Sequence, residues 1–129
     1  MKKMYVLVRK DLDAVYRMVQ GSHALAQYLI QYPELGKEWN NSTIVFLGER
    51  NEDALNLTAL KLTMKKKVFA EFREPDLRNQ LTAIACFDEG NIFKNHNIIT
   101  LSFHSLSHGA KLNQDFFTGG LTCLNVVVS

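Results

Sequence analysis

Between Arg73 and Ala85 the chain reads Arg-Glu-Pro-Asp-Leu-Arg-Asn-Gln-Leu-Thr-Ala-Ile-Ala. Asp76 and Thr82 in this stretch are residue types that can orient a water molecule: a carboxylate to accept its proton and a hydroxyl to hold it. Pro75 has no backbone N–H to donate and biases Glu74 toward an extended conformation, so a strand is expected to stop before it. A second strand then opens at about Thr82. That arrangement places the carboxylate and the hydroxyl close together at one end of a sheet. Each also has a plain structural reading. Asp76 after a proline suits a turn-stabilising residue, and Thr82 suits a β-branched strand position.

The elements that must hold this turn follow from pattern and punctuation. Tyr5 to Val8 form a short β-rich run, after which Asp11 and Asp13 offer N-cap chemistry for a helix. From there Val15, Met18, Val19, Leu25, Ala26, Leu29 and Ile30, with small Ser22 in the missing place, recur at steps of three and four. That spacing predicts an amphipathic helix to about Tyr32 with this stripe as its apolar face. Pro33 ends it, and Pro-Glu-Leu-Gly-Lys-Glu-Trp adds one short helical turn. Thr43 to Leu47 is a continuous apolar, β-branched run, as in a strand covered on both faces. Asn51 caps a second long helix running to about Met64, with Ala54, Leu57 (or Thr58), Leu60 (or Lys61) and Met64 near one stripe. Lys65, Lys66 and Lys67 follow at its dipole-favoured end.

Val68 to Arg73 and Leu81 to Phe87 are the next strands. Their short connection predicts an antiparallel hairpin, whereas the two helix-bearing connections predict parallel right-handed crossovers. The order β-α-β-α-β-β implies an α/β fold, a three-layer α/β/α sandwich around a mixed four-stranded sheet. Glu89-Gly90-Asn91 is a turn, and Ile98 to Phe103 suits an additional C-terminal strand. The last segment, from Phe116 to Val128, is apolar and β-rich around a Gly-Gly break. It suits an edge strand or a contact between two protomers, and hence a homodimer.

Composition bounds the reading. The chain has 129 residues, 47% hydrophobic and 22% charged, as expected for one globular domain. The net charge of +2 permits contact with nucleic acid without demanding it. The opening Met-Lys-Lys-Met-Tyr-Val-Leu-Val-Arg-Lys has too short an apolar run for a signal peptide, so a first strand and a cytoplasmic protein are expected. No apolar run approaches the length of a membrane span. Cys86 and Cys123 fit no zinc spacing, and Cys86 reads as a buried free thiol. His104 and His108 are spaced like two ligands on one helix face, with His96 upstream, but no carboxylate motif accompanies them. Gly119-Gly120 lacks the lysine of a phosphate loop. Neither a metal nor a cofactor is expected.

Three blocks together resemble the type-2 peptidyl-tRNA hydrolase family. Tyr5 to Leu12 (Tyr-Val-Leu-Val-Arg-Lys-Asp-Leu) is similar to the family's opening strand and its Arg-x-Asp-Leu. Gln20 to Ala24 (Gln-Gly-Ser-His-Ala) is similar to the family's Gln-Cys-Ser-His-Ala on the first long helix. Asp76 followed by Thr82 to Ala85 (Thr-Ala-Ile-Ala) is similar to the family's Asp and Thr-Gln-Ile-Ala. The resemblance spans about residues 4 to 101, so residues 1–101 are expected to form the family-like domain and 102–129 an extension of it or a dimer contact. The family carries a glycine- and lysine-rich segment, with a lysine thought to serve catalysis, where this chain has Asp13 to Val19. Arg17 is the only cation there.

The resemblance implies hydrolysis of the ester joining a peptide to the terminal ribose of a tRNA. Water must be oriented at the carbonyl and the developing oxyanion stabilised. Asp76 would position or activate the water, and Thr82 would hold it or support the carboxylate. His23, with Gln20 and Gln27 on its side of the helix, would border the cleft. Arg17, Arg9 or Lys10 would meet the oxyanion or a phosphate. Asp11 and Ser22 complete the implied substrate-binding set. His23 also suits a plain hydrogen bond to a carbonyl, Ser22 close packing, and Arg9 with Asp11 a structural pair that caps the helix. Three functions therefore stay open: a divergent esterase acting on peptidyl-tRNA or a related adduct, a non-catalytic module binding RNA or a metabolite, and an interaction protein dimerising through its tail.

Overall fold

The computed structural model of the chain describes residues 1–98. Residues 99–129 lie outside the description, and with them the rest of the expected fifth strand, His104, His108, Gly119, Gly120, Cys123 and the apolar segment 116–128. The described elements are β1 (Lys3–Arg9), α1 (Ala14–Gln31), α2 (Pro33–Trp39), β2 (Ile44–Glu49), α3 (Glu52–Met64), β3 (Ala70–Glu74), β4 (Gln80–Asp88) and β5 (Asn97–Ile98). Local chemistry sets the boundaries. The Asp13 carboxylate accepts from the Tyr16 N–H at 2.8 Å, and the Asn51 side chain from the Ala54 N–H at 3.0 Å, so both long helices begin at capped positions. Pro33 ends α1 and, as a tolerated first-turn proline, begins α2. The segment expected to add a single turn is thus a seven-residue helix.

The sheet is mixed, in the order β3-β4-β1-β2, with the two-residue β5 at the outer edge of β2. β1 and β2 run parallel, while β4 is antiparallel to both β1 and β3 and β5 is antiparallel to β2. It follows that β3 runs in the direction of β1 and β2, although it sits at the far edge. The first crossover steps from β1 to its neighbour. The second passes back across β1 and β4. Connections of one hand running in opposite directions must use opposite faces, and the helices do so. On one face α1 packs with Met4, Val6, Val8, Ala70, Ala83 and Ala85. On the other, α3 packs with Leu7, Val45, Leu47, Leu81, Ile84 and Cys86. The result is a three-layer α/β/α sandwich.

Both long helices turn a different face to the core than their apolar periodicity indicates. α1 buries Gln20, Gly21, Ala24 and Tyr28. Much of the expected stripe faces outward: Val15 is 72% and Ile30 74% exposed, with Met18, Val19 and Leu29 also on the surface. The reason is spatial. The sheet supplies the bulk beneath α1, so the helix approaches on its small residues. A Cβ built on Gly21 would stand 2.7 Å from the Phe46 ring and 3.1 Å from both Val6 and Val8 methyls. α3 likewise buries Leu55, Thr58, Ala59 and Leu62 and leaves Leu57 64% and Met64 74% exposed. Of the paired alternatives on its stripe, Thr58 is the one that turns inward. No helix among the described residues is long and apolar enough to cross a membrane.

The close approach at Gly21 makes it sensitive to side-chain volume. Gly21→Val should lower stability by about 1–3 kcal/mol through overpacking against Phe46, Val6 and Val8, more than the improvement in helix propensity of less than about 1 kcal/mol can offset. A reduced urea midpoint with unchanged slope is the expected result.

Candidate functional site

The parallel strands β1, β2 and β3 end, and β4 begins, at one end of the sheet. Arg9, Glu49, Glu74 and Gln80 are therefore gathered from four strands. Two polar clusters occupy the half of this end nearest the hairpin.

The first cluster joins the hairpin to α1. Pro75 stops β3, and a short 3-10 turn, Pro75–Leu77, leads into Arg78 and Asn79, both in left-handed backbone conformations with φ of 55° and 59°. The Asn79 N–H bonds the Glu74 carbonyl at 2.9 Å and closes the turn. Thr82 is fully buried, and its hydroxyl lies 2.5 Å from Gln20 Oε1 and 3.3 Å from the Phe72 carbonyl. One hydroxyl proton serves one strong bond, and the shorter contact is the Gln20 one. Gln20 is also fully buried, and its amide donates to Glu74 Oε1 at 2.8 Å. A hydrogen-bonded series thus runs from the core, through Thr82 and Gln20, to a carboxylate at the surface.

Glu74 gathers the rim. It accepts from the Asp76 N–H at 3.4 Å and faces the Tyr16 hydroxyl at 3.5 Å. The Gln20 amide bond is the largest influence holding its carboxyl below the ordinary value, with the Asp76 N–H, the nearby His23 and Tyr16 acting in the same direction. Burial, and then the Glu74 and Asp76 charges, raise the Tyr16 phenol. His23 is exposed and stacks on Phe72 with ring centroids 4.5 Å apart. Asp76 is exposed on the turn and joins the cluster through its backbone and its charge. The turn is braced by the Glu74 side chain.

The second cluster centres on Arg9. Its buried guanidinium binds Asp11 in bidentate fashion, Nε to Oδ1 at 3.0 Å and Nη2 to Oδ2 at 2.8 Å. Nη1 reaches Gln80 Oε1 at 2.9 Å and the Leu81 carbonyl at 3.3 Å. The Leu81 N–H donates to Glu52 Oε2 at 2.8 Å, which ties the start of α3 to the same strand. The Arg9 hydrogen bond is the main reason the Asp11 carboxyl lies below its usual range. Arg17 is committed nearby: Nε donates to the Leu12 carbonyl at 2.6 Å and Nη2 to the Lys10 carbonyl at 2.8 Å. It straps the β1–α1 loop.

The structure therefore brings Gln20 and Thr82 into direct contact and sets Asp76 and His23 around the carboxylate they lead to. It pairs Arg9 with Asp11, turns Arg17 onto backbone carbonyls, leaves the Lys10 side chain exposed, and directs the Ser22 hydroxyl to the Met18 carbonyl of its own helix at 2.8 Å. Sequence reasoning missed Glu74 and Tyr16 as members of the cluster. Tyr16 was within reach of it, since it precedes Gln20 by one helical turn. Gln80 and Glu52 carried no such signal.

On the α3 side of the same sheet end lies a further group. Glu49 Oε2 accepts from the Thr58 hydroxyl and lies 2.9 Å from His96 Nε2. Burial alone would raise the Glu49 carboxyl, but the bonds from His96 and Thr58 outweigh it and hold the group low. Among the described residues, no three His, Cys, Asp or Glu side chains are arranged to hold a metal ion. Cys86 is a buried free thiol, pushed up to about 12 mainly by burial, and is not a nucleophile at neutral pH.

Two measurements test this electrostatic picture. Arg9→Ala, which takes a donor from the Leu81 carbonyl and from Gln80 and leaves the exposed Asp11 to water, should cost about 1–3 kcal/mol of stability. Asp11, Glu49 and Asp88 all ionise below their ordinary values when folded, Asp88 because its Lys67 partner at 2.9 Å and nearby backbone N–H groups outweigh its burial. The unfolded chain accordingly takes up protons first as acid is added. The stabilising contribution is complete above about pH 5 and is lost as the pH falls through about 4 and below. Urea midpoints across that range should fall on acidification, and Asp88→Asn should start lower at neutral pH and fall less.

No protein-family model matches the chain, and no curated protein sequence matches it.

Proposed function

We propose that the chain is a divergent peptidyl-tRNA hydrolase-like esterase, acting on the ester between an acyl group and a terminal ribose in peptidyl-tRNA or a related adduct. The observation that carries this reading is the contact between Thr82 and Gln20. It ties the hairpin to the polar flank of the opening helix, with Asp76 and His23 exposed beside it. In this reaction Asp76 takes a proton from a bound water as its oxygen attacks the ester carbonyl. The tetrahedral adduct then collapses, the ribose oxygen leaves and recovers that proton, and the freed acid departs. This reading assigns Tyr16, which faces Glu74, and the exposed His23 as donors to the developing oxyanion. Glu74, held ionised by Gln20, fixes the turn that carries Asp76. Such a substrate is met in the cytoplasm.

A second reading is a binding module on the same cleft, with tRNA or a metabolite held but not cleaved. One observation favours it: Arg9 and Arg17, two of the three cations the resemblance implies for catalysis, are spent on Asp11 and on backbone carbonyls. Lys10 alone of the three leaves its side chain to solvent. A homodimer is part of the same proposal. The outward stripe of α1 from Val15 to Ile30 is a contiguous apolar surface of the kind that a second copy covers.

Turnover of peptidyl-tRNA distinguishes the two readings. The esterase predicts hydrolysis by the wild type and a loss of roughly 100-fold or more in Asp76→Ala. Salt-sensitive tRNA binding without any cleavage establishes the module instead, and neither binding nor cleavage removes both. For the dimer, sedimentation of the wild type should give twice the monomer mass. The double variant Val19→Lys, Ile30→Lys should give the monomer with an unchanged circular-dichroism spectrum. A wild-type monomer ends that part of the proposal.

A further inference from the structure

β1 and β2 are parallel neighbours whose following connections leave to opposite faces, β1 into α1 and β2 into α3. A crevice opens outside the carboxyl ends of two such strands, and in open α/β sheets it is where ligands are held. Here it is a cavity of about 630 Å³ whose lining includes Lys10, Glu49, Arg50, Asp53, Lys61 and His96, together with the apolar Leu57 and Ala54. The volume lies in the range of small-molecule sites and is several times that of an inorganic ion.

The charges in this cavity are unevenly used. Glu49 engages Thr58 and His96 through one oxygen, Oε2, and the nearby Lys61 charge also favours its ionised form. Lys10, Arg50 and Lys61 form no ion pair among the described residues, which is also true of Lys3, Arg17, Lys65, Lys66, Arg78 and Lys94; what sets the three apart is that they line one cavity. Three uncommitted cations thus converge on one concavity. Beside them the buried Nδ1 of His96 has no hydrogen-bond partner, with Nε2 held by Glu49. Leu57, 64% exposed, presents an apolar surface into the same space, and the carboxylate of Asp53 is an acceptor for hydroxyl groups.

The geometry points to a phosphomonoester-binding site that takes a mononucleotide unit between β1, β2 and α3. The phosphate dianion sits among Lys10, Arg50 and Lys61, the sugar hydroxyls reach Asp53, and the base lies against Leu57 and Ala54. This inference shares Lys10 with the cations considered for the esterase, but it uses neither Asp76 nor Thr82, and its tests fall on Arg50 and Lys61 on the α3 side of the sheet end. The unit can come from a free mononucleotide or from the 5′-phosphorylated end of an RNA.

Amide chemical shifts of the ¹⁵N-labelled full chain, titrated to about 10 mM ligand, test it with AMP, adenosine, and a short oligoribonucleotide with and without a 5′-phosphate. AMP should move resonances of Arg50, Asn51, Thr58 and Lys61, and adenosine should bind at least about 10-fold more weakly. Arg50→Glu and Lys61→Glu should each weaken AMP binding by about 10-fold or more, while Lys65→Glu, the same charge change outside the cavity, should not. Saturation by AMP alone identifies a free nucleotide, and tighter binding of the phosphorylated oligonucleotide identifies an RNA end. Absence of shifts at the cavity, equal response to AMP and adenosine, or equal loss in Lys65→Glu and Lys61→Glu overturns the proposal.

Discussion

The contact on which the rest of the molecule depends is the close seating of α1 on the sheet at Gly21 and Ala24. With no side chain at Gly21, the helix backbone lies within van der Waals reach of Val6, Val8 and Phe46. At that distance the neighbouring Gln20 enters the interior. A buried amide is costly unless its hydrogen bonds are made. Thr82 and Glu74 make them, at 2.5 and 2.8 Å. Those two bonds fix the rotation of the helix, and through it the positions of Tyr16 and His23 one turn to either side. The hairpin is placed by the same bonds, because Thr82 lies two residues into β4 and Glu74 closes β3. The glycine here is matched to a Phe46 ring only 2.7 Å from where a Cβ would stand.

Much of the architecture was legible because local chemistry decided it. Asp13 and Asn51 cap, Pro33 and Pro75 stop, and the strand runs have the composition of strands buried on both faces. The facing of the helices was not legible. Apolar periodicity records which residues avoid water, but it carries no information on how much room lies beneath a helix. Under α1 the sheet already holds Met4, Val6, Val8, Phe46 and Phe72, so small and hydrogen-bonded residues fit there better than Val15, Val19 or Leu29. The position of β3 was hidden for a related reason. Direction follows from connection type, but which edge a strand joins depends on the competition between β2 and β4 for it.

The site was legible in part, and along the same line. Turn chemistry and helical spacing act locally and drew attention to Asp76, Thr82, Gln20 and His23, but the fully buried Thr82 gives its hydroxyl to Gln20 and not to the Asp76 carboxylate it was expected to support. Glu74 becomes visible only once Gln20 is known to be buried and to need an acceptor. The group of Glu49, Thr58 and His96 brings together residues from β2, α3 and the turn before β5, and no spacing rule joins positions so far apart in the chain. The roles of Arg9 and Arg17 were the least legible. A guanidinium near a loop can serve a substrate or the loop itself, and only its partners reveal that here it serves the loop.

The division between a buried floor and a solvent-facing rim has an evolutionary consequence. Thr82, Gln20 and Glu74 are coupled: exchanging Thr82 or Glu74 takes a partner from the buried Gln20 amide, so substitutions at the three positions are not independent. Asp76 and His23 carry no such debt to folding, because water reaches both. A lineage built on this scaffold is thereby free to exchange its exposed rim residues one at a time while the platform beneath them persists, so that proteins sharing the floor need share no chemistry.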